Sequence, residues 1–82
     1  MPGIEFSHHA RDMLDERRIA EEWVWRTLQA PERTEAGADG NTHYISAIPE
    51  RGGRFLRVAA NRRTTPERIV TVYFDRRLRR RP

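Results

Sequence analysis

Arg54-Phe55-Leu56-Arg57-Val58-Ala59-Ala60-Asn61 and Arg68-Ile69-Val70-Thr71-Val72-Tyr73-Phe74-Asp75 are the two stretches that decide the fold. Each alternates with a period of two, the pattern of a half-buried strand. Leu56, Val58 and Ala60 share one face of the first; Val70, Val72 and Phe74 share one face of the second. These apolar faces are expected beneath helices. Phe55, Arg57, Ala59 and Asn61, with Ile69, Thr71, Tyr73 and Asp75, fall on the opposite face. The Arg62–Glu67 segment between them reads as a turn. Before Arg54, Gly52-Gly53 supplies the glycines of a hairpin, and Thr42 to Ile48 alternates as a further strand. If Glu50–Gly53 closes that hairpin, Ser46 lies opposite Arg57 and Tyr44 opposite Ala59. Even parity in the second loop puts Arg57 opposite Tyr73 and Ala59 opposite Thr71. Ser46, Arg57 and Tyr73 then form one row across the sheet, a row that a one-residue slip would scramble.

Upstream the period changes to 3.6. Ser7 is a good N-cap, and Ala10, Met13, Leu14 and Arg17 follow at i, i+3, i+4 and i+7, giving a short helix that ends near Arg18. After Ile19 a second helix begins near Ala20, with Glu21 and Glu22 in its first turn, where the helix dipole favours acids. It carries Trp23, Val24, Thr27 and Leu28 on one face, and Pro31 ends it. Glu35 to Asn41 reads as a polar turn, and Ile4 to Phe6 as a short edge strand or a lead-in to the first helix. The expected class is therefore α+β: two N-terminal helices packed on an antiparallel meander of three to four strands.

A chain of 82 residues has room for one core, here assigned to residues 1–75, followed by an Arg-rich tail over 76–82. Cysteine is absent, which excludes disulfides, thiol catalysis and cysteine-ligated metals. The longest apolar run, Ile69 to Phe74, is interrupted by Thr71 and far shorter than the roughly 20 residues of a membrane span. No basic-plus-apolar leader opens the chain, so a soluble, cytoplasmic protein is expected. All 16 basic residues are arginine; 11 of them face 12 acids within residues 1–75, and the other five lie in the tail. Arginine forks suit phosphate, so Arg76, Arg77, Arg79 and Arg80 are candidate nucleic-acid contacts, unless the tail is only a solvated end.

Among single residues, Arg57 and Tyr73 form the leading pair. Arg57 could grip a phosphate and Tyr73 could move a proton or stack on a base, although an Arg beside a Tyr on an exposed sheet face gives plain cation–π packing as well. His8 and His9 open the first helix, and His9 could act as a general base or simply pack or cap. A zinc site from His9, His43 and a carboxylate is conceivable, without paired-ligand spacing behind it. Arg17 ends an apolar stripe, so its guanidinium must reach the rim or a buried acid, a structural salt bridge being the plainer role. Trp23 belongs to the core face. Trp25 lies off it and either marks a partner surface or crosses a neighbouring strand. No glycine loop precedes a helix, which excludes nucleotide hydrolysis of the P-loop kind.

The order of motifs resembles a known family. Phe6-Ser7-His8-His9-Ala10, then Glu16-Arg17-Arg18-Ile19-Ala20-Glu21-Glu22 with Val24 and Leu28, then Ala30-Pro31-Glu32-Arg33, follow its pattern. So do Leu56-Arg57-Val58 and Arg68-Ile69-Val70-Thr71-Val72-Tyr73. The family is the domain of unknown function 4258, and the resemblance covers about residues 4–75. It implies a fold similar to RelE- and BrnT-type toxins of the barnase/colicin/RelE-like ribonuclease group. Members of that group are mostly metal-independent RNases that use the ribose 2′-hydroxyl as nucleophile, and many pair with an antitoxin. By resemblance His9, Arg17, Arg57, Thr71 and Tyr73 are the matching positions, RNA and an antitoxin are the implied partners, and no cofactor is required. Met13 departs from a frequent arginine, and Arg18 from a common glycine. The rival expectation is a non-catalytic nucleic-acid or protein interaction module on the same fold, favoured by the acid-rich first 75 residues.

Overall fold

The computed structural model of the chain describes residues 3–78. Its elements are β1 (Ile4–Phe6), α1 (His8–Arg17), α2 (Glu21–Gln29), β2 (Arg33–Ala36), β3 (Thr42–Ile48), β4 (Arg54–Asn61) and β5 (Glu67–Phe74). They form an α+β fold with one five-stranded sheet in the order β1-β5-β4-β3-β2. The sheet departs from the expected antiparallel meander of three to four strands in two ways. The sheet is mixed, because β1 runs parallel to β5 with Phe6 opposite Ile69. It also gains β2, which pairs antiparallel with β3 and includes Glu35 and Ala36 from the stretch read as a turn.

Ser7 starts α1 and also fastens it to the sheet. Its hydroxyl oxygen accepts from the Ala10 amide at 3.0 Å and donates to the Val70 carbonyl at 3.2 Å, while its own amide donates to the Ile69 carbonyl at 2.9 Å. One residue thus satisfies a free amide of the first turn and sets the entry of the helix over β5. Ala10 and Leu14 of α1, Ile19 from the connection and Val24 of α2 then pack on Ile48, Leu56, Val58, Ala60, Ile69 and Val72. Burying each of the larger aliphatic side chains is worth roughly 1.5–3 kcal/mol.

Arg18 closes α1 in the left-handed conformation, with φ 54° and ψ 49°. That explains the glycine common at this position in the resembling family, since a side chain there crowds the following carbonyl. Arg18→Gly is expected to raise unfolding stability by about 0.5–1 kcal/mol in urea titration. An unchanged or lowered stability would show that the Arg18 side chain compensates for its backbone.

The sheet register departs from expectation at two places. Pro49–Arg51 form a 3-10 turn, so Pro49 joins the loop, Ile48 faces Arg54, and the hairpin slips by one residue. Ile45, and not Ser46, lies opposite Arg57; Ser46 turns to the helix side opposite Leu56. Arg57 does face Tyr73, and Ala59 faces Thr71. Beyond Ala59 a β-bulge shifts the pairing so that Ala60 faces Ile69. The extra residue exchanges two expected positions: Ile69 is buried in the core and Val70 is half-exposed.

Candidate functional site

His9, Met13 and Arg17 follow one another at four-residue steps and so share a stripe of α1. Thr71 and Tyr73 share one face of β5. Because β1 pairs only with Glu67 to Ile69, the remaining rim of β5 is bordered by α1. At one end of this seam His9 Nε2 lies 3.3 Å from Thr71 Oγ1. At the other end the seam opens into a groove of about 560 Å³, bordered by Met13, Arg17, Arg51, Arg54, Tyr73 and Arg76. Thr71 and Tyr73 are one strand repeat apart, about 7 Å, which keeps His9 within reach of the groove.

The groove is strongly cationic. Arg17, Arg51 and Arg54 make no ion pair among the described residues. Arg51 caps the carbonyl end of α1, donating to the Arg18 carbonyl at 3.2 Å. Its guanidinium lies 4.9 Å from the centre of the Phe74 ring, and that of Arg54 lies 5.3 Å from it. Phe74 in turn meets Trp23 edge-on. The aromatic cluster therefore holds two arginines in place along the groove, lowering the entropy they would lose on gripping an anion.

Arg57 has a different environment. It is 7% exposed, its Nε donates to Asp75 Oδ2 at 2.9 Å, and one terminal nitrogen donates to Glu35 Oε1 at 3.2 Å and His43 Nδ1 at 3.1 Å. A guanidinium only donates, so His43 Nδ1 is an acceptor and the ring proton sits on Nε2, which faces the Asp39 carboxylate at 3.3 Å. Asp75 also holds the chain that leaves the sheet. Its carboxylate accepts from the Arg77 side chain and from the Arg77 amide, the latter at 3.0 Å, and its carbonyl accepts from the Leu78 amide. The Arg77 side chain, then the Arg77 amide and Arg57, hold the Asp75 carboxyl down at about 2 against the opposing effect of burial. This network lies behind Tyr73 and fixes the turn that presents Arg76 to the groove.

A family model described as "Domain of unknown function (DUF4258)" matches residues 6–74. The chain belongs to the DUF4258 family. No curated protein and no solved structure matches it. The matched span of this DUF4258 chain contains the whole seam and most of the groove, with Arg76 just beyond it.

Of the positions singled out in the sequence, His9, Arg17, Thr71 and Tyr73 come together along the seam. Arg57 stands directly across from Tyr73, with its guanidinium turned into the carboxylates. Arg17, for which a salt bridge was the plainer expectation, is exposed at the groove rim. Arg76 borders the groove and Arg77 is pinned to Asp75, while Arg79 and Arg80 lie outside the described residues. His9 and His43 have separate partners, and among the described residues no group of three or more His, Asp or Glu could hold a metal. Trp25 crosses Phe6 edge-on with ring centres 5.6 Å apart and donates to Glu21, so it closes a surface cluster over β1. No helix among the described residues is long and apolar enough to cross a membrane. Sequence reasoning missed Arg51 and Arg54. Their signal was their position on either side of Gly52-Gly53, where a tight connection brings both onto the end of the sheet that carries Phe74.

Proposed function

We propose that this DUF4258 chain is an RNA-binding domain of toxin-like kind, with the groove between α1 and the end of β5 holding the phosphate backbone. The observation that carries this reading is a set of three arginines, Arg17, Arg51 and Arg54, that have no carboxylate partner among the described residues and converge with Arg76 and Tyr73 on one groove. Guanidinium groups accept phosphate bidentately, and a fixed cluster of them outweighs the nearly neutral charge of the body as a whole. The likeness to RelE- and BrnT-type toxins belongs to the same proposal, as does an antitoxin that covers this groove.

A second reading, metal-independent cleavage, is favoured by the exposed His9 at the seam. His9 would take the proton of a ribose 2′-hydroxyl as that oxygen attacks the adjacent phosphorus. The bond from phosphorus to the 5′-oxygen would break, the leaving oxygen would take a proton from Tyr73, and a 2′,3′-cyclic phosphate would remain. Arg17 and Arg54 would stabilise the charge on the phosphorane. Arg57, with its charge already matched by Asp75 and Glu35, would support Tyr73 from behind. The test is incubation of a mixed-sequence RNA in EDTA with wild type, His9→Ala and Tyr73→Phe. Cyclic-phosphate ends formed by wild type and lost at least 10²-fold in both variants are the result expected of an RNase. RNA bound but left intact by wild type establishes the non-catalytic module in its place.

A further inference from the structure

A second compartment of about 480 Å³ adjoins the arginine groove and shares Arg54, Phe74 and Arg76 with it. Its other walls are Gly52, Gly53 and Leu78, with Asp75 turned away toward Arg57 and Arg77. Gly52 and Gly53 hold φ of +68° and +80°, and a Cβ built on either would meet nothing within 4 Å. Gly52 and Gly53 therefore give the compartment a floor of backbone without side chains, open to space, with Leu78 and Phe74 beside it. An uncharged group such as a base can pack there against the apolar Leu78 and Phe74, and a charged one gains nothing beyond the shared arginines. From this continuity we infer that the Gly52–Gly53 compartment is a nucleobase subsite, and that the ligand is single-stranded RNA with the phosphate joining two nucleotides held at Arg54 and Arg76.

The assignment rests on the RNA-binding reading above and adds a substrate class to it. A base stacked in a duplex cannot enter the compartment, because both of its faces are covered by its neighbours. A single strand can turn one base onto the glycine floor while its backbone continues along Arg17 and Arg51. The phosphates supply affinity and the compartment supplies the preference for unpaired bases.

The test uses the full chain and the fluorescence anisotropy of a labelled mixed-sequence oligoribonucleotide, its blunt duplex of equal length, and inorganic polyphosphate as competitor. Leu78→Ala is expected to weaken single-strand binding about three- to tenfold and to leave polyphosphate competition unchanged. Leu78→Met, which keeps an apolar arm, should retain binding. Wild type should prefer the single strand to the duplex by about tenfold or more. Equal binding of single strand and duplex, or equal effects of Leu78→Ala on RNA and polyphosphate, would overturn the base subsite. In that case Arg54→Ala still separates the two levels: lost RNA binding leaves the groove reading standing, and unchanged RNA binding ends both.

Discussion

Arg57→Ala is expected to lower the unfolding free energy by about 3–5 kcal/mol. The Asp75 side chain is 3% exposed and Glu35 is half-buried, so removing the guanidinium leaves a buried carboxylate short of one partner. His43 Nδ1 loses its donor in the same step. In a domain of this size, such a loss corresponds to a fall in melting temperature of roughly 12–40 °C, read by circular dichroism. Neutralising the acid at the same time should recover part of it, so Arg57→Met with Asp75→Asn should melt higher than Arg57→Met alone. A melting temperature for Arg57→Ala within a degree or two of wild type would show that the network contributes little to the fold. The consequence for function is direct: lost activity in an Arg57 variant has meaning only alongside its melting curve.

Much of this arrangement is legible in the sequence itself. Ser7 and Pro31 bracket the two helices, and the alternation of Leu56, Val58 and Ala60 places Arg57 on the far face, across from Tyr73. What was not legible came from features without a local pattern. Pro49 reads equally well as the end of a strand or the start of a turn, and its place in the turn moves Ser46 to the helix side. Ile69 and Val70 are both apolar and β-branched, so a bulge that exchanges them leaves no trace in the period. β2 is four residues long, Arg33-Thr34-Glu35-Ala36, with little apolar content to mark it. Without β2, Glu35 could not be placed beside Arg57, and the burial of that arginine stayed hidden. The candidate site was half legible: the stripe of α1 and the face of β5 follow from periodicity, whereas Arg51 and Arg54 join them only once the hairpin register is known.

The second large effect concerns the groove itself. Replacing Arg17 and Arg54 together by Ala should weaken RNA binding about 10²-fold near 0.1 M salt, since each charge-assisted contact to phosphate is worth about 1.5 kcal/mol or more. Both side chains are exposed and outside any ion pair among the described residues, so melting should change by only a few degrees. Each lost contact should also reduce the salt slope of log K by about 0.7 on a single strand. An unchanged slope in the double variant would mean that the phosphates lie elsewhere.

The most direct measurement is an amide chemical-shift titration of the full chain with a short single-stranded RNA. Binding in the groove predicts shifts concentrated at Met13, Arg17, Arg51 to Arg54 and Tyr73 to Leu78, with β2 and the exposed side of α2 unmoved. Shifts confined to residues 79–82 would contradict it, placing all of the affinity in the terminal arginines and none in the folded domain.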